Sequence, residues 1–143
     1  MGGFLGSYLH QVDTKGRVSL PASFRRESDS HSYVLIQAHA DALSLYPQES
    51  WREVEERLRE MVRRNPKARH YLLGLTANAQ EVSPDKQGRI LIPDRLRESV
   101  GVEREALIVG ALERIEIWNP ERFEKTAGTG REQFGKLAEQ IFV

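Results

Sequence analysis

The sequence predicts a mixed, β-rich α+β fold in which two tandem β-hairpin repeats form one pseudo-two-fold barrel, with helices at its periphery. The main observation is a phrase that occurs twice, "DTKGRVSLPASFR" from Asp13 to Arg25 and "DKQGRILIPDRLR" from Asp85 to Arg97. Each phrase is followed by two stretches typical of short strands and then by a helical stretch. A chain of 143 residues also has the usual size of one domain.

The two phrases belong to an internal repeat with an offset of 72 positions, the separation of Asp13 and Asp85. The register continues without a gap beyond the phrases. It aligns apolar and aromatic residues with one another: Leu43 and Leu45 with Ile115 and Ile117, Tyr46 with Trp118, and Trp51 with Phe123. The chain therefore contains a duplicated supersecondary unit.

Within each copy, the residue types predict a strand, a turn, a second strand and a short helix. The lead-in strand, "GSYLHQV" or "NAQEVS", ends near an aspartate, a residue that favours turns. Gly16 and Gly88 supply the positive φ of a tight connection, and aliphatic residues then form a short strand. Pro21 and Pro93 end that strand and begin a helical turn. Because each half alone leaves open strand edges, the two halves are expected to close on each other.

The later part of each copy predicts two more strands and a helix. "YVLIQAHADALSLYP" and "EALIVGALERIEIWNP" each read as two strands joined by a turn. From Pro47 an apolar stripe predicts a long helix that ends near Asn65. "KARHYLLGLTANAQ" fits a helix or a buried strand equally well, and we interpret it as a helical connector that ends at or soon after Gly74. The stripe of the long helix consists of Trp51, Val54, Leu58 and Met61.

These elements divide the chain into four predicted segments. A first repeat covers 4–50, a helical connector 51–76, a second repeat 77–122 and a C-terminal helical tail 123–143. The tail sequence "REQFGKLAEQIFV" predicts an amphipathic helix that is apolar enough to pack on the protein's own core. Its apolar side consists of Phe134, Leu137, Ala138 and Ile141.

Composition argues against several classes of function. The chain has no cysteine, which excludes disulfides and thiolate chemistry and fits a reducing cytosol. It has no apolar run long enough to span a membrane and no pattern typical of a secretory signal, so we expect a cytoplasmic protein. Its four histidines are scattered, and phosphate-binding loops, nucleophile elbows and zincin motifs are absent. We therefore predict no enzymatic activity, no cofactor and no metal site.

The charges are unevenly distributed although the formal net charge is zero. The first phrase and its flank are basic, through Lys15, Arg17, Arg25 and Arg26, and the stretch 57–69 is a second basic run. For the second run, the sequence favours a solvated helix face. For Arg17 and Arg89, contact with DNA and ion pairing with the aspartate of the same turn are equally supported by the residues alone.

The doubled phrase Asp-x-x-Gly-Arg-hydrophobic-x-hydrophobic-Pro resembles the MraZ family of bacterial proteins, and its halves are similar to the swapped-hairpin domains of AbrB-type regulators. The resemblance covers nearly the whole chain. It implies a sequence-specific regulator of transcription that binds double-stranded DNA near the division and cell-wall gene cluster, including its own promoter. It also implies a ring-shaped homo-oligomer that acts on repeated DNA boxes and associates with the nucleoid.

The resemblance also assigns candidate DNA-binding residues, and it favours DNA contact for both arginines. The family's Asp-x-x-x-Arg signature falls on Asp13 and Arg17 in the first copy and on Asp85 and Arg89 in the second. Lys15 occupies a position where the family commonly has lysine. The second copy departs from this pattern because Gln87 replaces that lysine and Lys86 lies one place earlier. Arg25 and Arg97 are candidate supporting basic residues.

A second hypothesis is an antitoxin-like module with an AbrB-type fold that binds another protein. Such proteins usually end in a polar segment that folds on the partner. The apolar tail of this chain favours the DNA-binding hypothesis instead.

Overall fold

The computed structural model describes residues 3–28, 31–129 and 134–142. The first copy consists of β1 (Ser7–Gln11), β2 (Arg17–Ser19), α1 (Ala22–Glu27), β3 (Tyr33–Ile36), β4 (Ala42–Pro47) and α2 (Gln48–Arg64). A 3-10 helix (Pro66–Ala68) and α3 (Arg69–Ala77) connect it to the second copy. This consists of β5 (Gln80–Val82), β6 (Arg89–Leu91), α4 (Asp94–Ser99), β7 (Glu105–Gly110), β8 (Ile115–Trp118) and α5 (Pro120–Thr129). The last helix is α6 (Phe134–Ile141).

Six strands form one antiparallel sheet in the order β1-β7-β8-β4-β3-β5. Three of its five pairings join different repeats: β1 with β7, β3 with β5, and β4 with β8. When each strand is replaced by its equivalent in the other repeat, the same order results, read from the opposite edge. A pseudo-two-fold axis therefore lies between β4 and β8. The two halves therefore share one sheet, as the duplicated sequence predicts.

The strands β2 and β6 form a separate antiparallel ribbon, in which Val18 lies opposite Ile90. The predicted barrel is wrong, because the described strands leave β1 and β5 as open edges of the large sheet. Among the described strands, β2 and β6 pair with each other and with neither β1 nor β5, so the ribbon does not close the sheet. The ribbon therefore contributes to the core as a second layer above an open sheet.

The core lies between the ribbon, the sheet and the two short helices. Val18 and Ile90 project into it from the ribbon, and Phe24 of α1 and Leu96 of α4 occupy equivalent positions in the two copies. The sheet supplies the remaining large aliphatic side chains, which include Leu35, Leu43, Leu45, Ile108, Ile115 and Ile117. Burying such side chains stabilises the fold by about 25 cal/mol for each Å² of apolar surface removed from water. The ribbon is thus fixed to the fold by its inner face.

The helical predictions for the middle of the chain are confirmed. α2 begins directly after Pro47 and ends at Arg64, and its C-cap is Asn65. The ambiguous connector forms a helix, α3, that continues past Gly74 to Ala77. The prediction that the tail packs on the core is wrong for its described part. Phe134, Leu137 and Ile141 of α6 are 70%, 50% and 68% exposed. α6 lies beyond the part of the repeat that forms the core, which the sheet, the ribbon and the short helices already enclose.

None of the described helices is long and apolar enough to cross a membrane.

Candidate nucleic-acid interface

The turn between β1 and β2 is organised by the Asp13 carboxylate. Its Oδ1 accepts hydrogen bonds from the backbone N–H groups of Lys15 at 3.0 Å and Arg17 at 2.8 Å. Its Oδ2 accepts a hydrogen bond from Arg17 Nε at 2.8 Å. Gly16 completes the turn with a φ of 88°, which residues with a Cβ rarely adopt. One carboxylate therefore orders both the turn backbone and the Arg17 guanidinium.

The turn between β5 and β6 repeats this arrangement around Asp85. Its Oδ1 accepts hydrogen bonds from the backbone N–H groups of Gln87 and Arg89, both at 2.9 Å, and its Oδ2 accepts one from Arg89 Nε at 3.0 Å. Gly88 has a φ of 78°. Arg89 Nη1 also lies 3.8 Å from Asp13 Oδ2, which brings the two turns together at the ribbon.

These hydrogen bonds favour the ionised form of both carboxyl groups. The backbone N–H of Arg17 is the main cause that lowers the pKa of Asp13 to about 2, with further contributions from the Arg17 side chain and the backbone of Lys15. The backbone N–H of Arg89 is likewise the main cause of a lowered pKa at Asp85. Both aspartates are thus anions at neutral pH, and each orients an arginine by a charge-assisted hydrogen bond.

Arg25 and Arg97, the candidate supporting residues, each lie against the turn of the opposite repeat. A Cβ placed on Gly88 would be 2.7 Å from Arg25 Cζ, and one placed on Gly16 would be 3.0 Å from Arg97 Nε. Arg97 Nε also donates to the Ile92 carbonyl at 3.2 Å. Both arginines therefore cover glycines, which explains why these turns accommodate no side chain.

The outer face of the ribbon carries both arginines of the signature. Side chains alternate along a strand, so Val18 and Ile90 face the core while their neighbours face outward. We define the outer ribbon face as Arg17, Ser19, Arg89 and Leu91. In the register of the ribbon, Arg17 lies opposite Leu91 and Ser19 opposite Arg89. The structure thus brings the two predicted arginines onto one surface, at diagonal positions.

The predicted lysines lie beside this face, in the turns. Lys15 and Lys86 are both exposed, but they occupy different positions of their turns. Lys15 comes directly before Gly16, where the second turn has Gln87. The two turns therefore have equivalent backbones, but their lysines lie at different positions.

The second basic run lies mainly on α2, where several of its arginines pair with glutamates of the same helix. Arg63 Nη1 lies 2.6 Å from Glu60 Oε2, and Arg64 Nε lies 3.0 Å from Glu60 Oε1. Arg59 contacts Glu55 at 3.3 Å. These are exposed pairs at spacings of three and four residues, as the prediction of a solvated helix face requires.

Metal-binding groups do not converge in the part of the chain that the structure describes, since no three His, Cys, Asp or Glu side chains there form a candidate metal site.

Comparison with known proteins agrees with the doubled motif. The family model described as "MraZ protein, putative antitoxin-like" matches residues 4–73 and again residues 75–142. The proteins named Transcriptional regulator MraZ from Desulforamulus reducens and Pediococcus pentosaceus are each 36% identical over 138 residues, which cover 96% of this chain and 96% of theirs. The protein of the same name from Alkaliphilus oremlandii is 37% identical with the same coverage. The chain belongs to the MraZ family.

In this member of the MraZ family, motif reasoning missed two residues of the outer ribbon face, Ser19 and Leu91. The Asp-x-x-x-Arg signature ends at the arginine and therefore does not include them. The alternation of a strand is the signal that identifies them, because each lies two positions after its arginine. Their side chains share a face with the arginines as a consequence.

Proposed function

We propose that the chain is a sequence-specific DNA-binding regulator of transcription that places the outer ribbon face in the major groove. A two-stranded β-ribbon has the dimensions to enter that groove, where every base pair presents a distinct pattern of donors and acceptors. The relatives carry the name Transcriptional regulator, which supports the same function. Pairing across the repeats agrees with two AbrB-like swapped hairpins joined in one chain.

The observation that carries the proposal is the anchoring of two half-buried arginines on one face of the ribbon. Each guanidinium donates from Nε to an aspartate, and its terminal nitrogens can donate to another acceptor, with Nη1 of Arg89 also 3.8 Å from Asp13 Oδ2. An arginine held in this way loses less conformational freedom when it binds, and it can contact guanine O6 and N7 with two hydrogen bonds. The ion pairing and the DNA contact considered from the sequence are therefore compatible roles of the same side chain.

The lysines of the turns complete the proposed interface. Exposed Lys15 and Lys86 flank the ribbon, and cations at such positions bind phosphates and release counterions. Asp13 and Asp85 act indirectly in this scheme, since their oxygens accept hydrogen bonds from the turns and the arginines. The interface requires no cofactor, because binding uses charges and hydrogen bonds that the side chains provide.

Oligomerisation explains how a chain without net charge binds tightly. One ribbon offers few cations, but a ring-shaped homo-oligomer presents several ribbons to repeated boxes on bent DNA. We propose that these boxes lie near the division and cell-wall genes, including the chain's own promoter, as the resemblance to the family implies. A protein with this role is cytoplasmic and associates with the nucleoid.

Fluorescence anisotropy tests the proposal with the full chain and a duplex taken from upstream of its own gene. A scrambled duplex of equal length is the reference, and both are titrated across a salt series. We expect preferential binding of the upstream duplex, with affinity falling steeply with salt. Arg17→Ala and Arg89→Ala should each weaken binding about ten- to a hundredfold, the range for loss of a bidentate base contact.

Arg64→Ala is the matched control, since it removes the same charge from the exposed surface of α2. It should leave the preference for the upstream duplex unchanged. Equal, weak binding of both duplexes contradicts the proposed function and directs the search to protein partners.

A further inference from the structure

The two strands of the ribbon differ at one pair of equivalent positions on the outer face. Ser19 of β2 corresponds to Leu91 of β6 at the repeat offset, and both follow a signature arginine by two residues. Leu91 is 53% exposed, although the neighbouring Ile90 is fully buried. The duplication therefore keeps the cations on the outer face and places an apolar side chain beside them in one copy.

Leu91 lies next to the two arginines that contact bases in the proposed function. It lies directly opposite Arg17 across the ribbon and two residues from Arg89 on its own strand. Neighbours at directly opposite positions have Cβ atoms about 5 Å apart. Successive bases of one DNA strand are about 3.4 Å apart, so the two side chains span roughly one to two base-pair steps. If Arg17 contacts a base, Leu91 therefore lies close to the edge of the same or a neighbouring base pair.

We infer that Leu91 is a specificity-determining residue that contacts the 5-methyl group of thymine next to the guanine bound by Arg17. The inference rests on the proposed function. Thymine presents an apolar methyl group at its major-groove edge, and this group is recognised by apolar side chains. Contact between the two removes apolar surface of both from water. Ser19 offers a hydroxyl at the equivalent position, so the pseudo-symmetric ribbon recognises an asymmetric sequence.

Replacement of thymidine by deoxyuridine tests this inference, because it removes the methyl group and keeps the base-pairing edge. The upstream duplex is prepared with deoxyuridine throughout, and its affinity is compared with that of the natural duplex for the wild type and Leu91→Ser. The wild type should lose about three- to fivefold in affinity for each methyl group contacted, the effect of exposing one methyl-sized group. Leu91→Ser should bind the two duplexes equally, and single deoxyuridine substitutions then locate the contact.

The controls separate recognition from folding and from DNA shape. Serine already occupies the equivalent position 19, so Leu91→Ser should leave the melting temperature unchanged. Leu73→Ala shortens another exposed leucine, on α3, and should retain the wild-type response to deoxyuridine. A response that is the same in the wild type and Leu91→Ser reflects DNA shape alone and overturns the inference, as does an absent response in the wild type. Failure of the proposed function differs from both, because the natural duplex then shows no preference over the scrambled one.

Discussion

The two turns of the ribbon have the same internal structure and different outward chemistry. In both, an aspartate accepts two backbone N–H groups and an arginine Nε, with distances that agree within 0.2 Å. The positions that face away from the turn differ, because Lys15 corresponds to Gln87 and Ser19 to Leu91. The residues that form the turn are therefore the same in both copies, whereas the outward-facing side chains differ.

The difference extends to the helices that flank the ribbon. Arg26 of α1 corresponds to Glu98 of α4, and Ser23 corresponds to Arg95. Arg25 and Arg97, which cover the opposite turns, are the same in both copies. The formal charge of α1 is therefore one unit more positive than that of α4, and we expect the first copy to supply slightly more of the phosphate contacts.

The largest expected effects concern the shared turn structure. Gly16→Ala and Gly88→Ala each impose a positive φ on a residue with a Cβ, at a cost of about 1–3 kcal/mol of unfolding free energy. Gly16→Ala should be the more damaging, since its Cβ would lie 3.0 Å from the backbone oxygen of Ile92. At Gly88 the opposing atoms belong to the Arg25 side chain, which can move away. Urea unfolding measures both changes.

Second substitutions distinguish the two causes. Arg25→Ala should recover part of the stability lost in Gly88→Ala, whereas Arg97→Ala should not rescue Gly16→Ala, because the Ile92 carbonyl remains. Gly74→Ala is the control within α3, where an added Cβ meets no atom within 4 Å. It should raise stability by about 0.5–1 kcal/mol. Equal rescue of both turns would contradict the assignment of a backbone contact to Gly16.

Much of the fold could be predicted because the duplication repeats every local signal. Apolar periodicity identified α2, and the aspartate, glycine and proline of each phrase identified the turns and short helices. The pairing order of the sheet could not be predicted in this way. Strand composition does not specify which strand pairs with which, and the cross-repeat pairing of β1 with β7 depends on contacts far apart in sequence.

The candidate site was predictable in part for a similar reason. The motif identified Arg17 and Arg89, but their meeting on one face follows from the β2–β6 register, which the sequence does not encode locally. The tail, which was predicted to pack on the core, shows a second limit of prediction from sequence. An amphipathic pattern shows that α6 has an apolar side, while its exposure depends on whether the core has room for it.

Exchange of the turn cations tests the predicted division of the phosphate contacts. Lys15→Gln gives the first turn the residue of the second, and Gln87→Lys does the reverse. The backbone N–H groups of both residues bond to the aspartates, so neither change should alter the turn. The slope of log K against log salt should become shallower by about 0.9 in Lys15→Gln and steeper by the same amount in Gln87→Lys. Unchanged slopes in both variants would exclude these turn positions from the phosphate contacts.

The smallest expected effect is a loss of stability in acid that the two turn aspartates cause. Folding lowers the pKa of Asp13 from 3.8 to about 2 and also lowers that of Asp85. A lowered pKa means that the folded state binds the proton less readily than the unfolded state. The stabilisation of the folded state by these two carboxylates is therefore fully present above about pH 4. The part that Asp13 contributes is lost as the pH falls towards 2.

Asp13→Asn combined with Asp85→Asn removes both titrating groups and retains amide oxygens that can accept the backbone hydrogen bonds. The double variant should be less stable than the wild type at pH 7, and its melting temperature should fall less steeply between pH 4 and pH 2. The single variants should show intermediate slopes, because each single variant keeps one of the two aspartates with a lowered pKa. Parallel melting curves across this range would show that other carboxyl groups cause the acid sensitivity. The anchoring of Arg17 and Arg89 would then rest on hydrogen-bond geometry more than on charge.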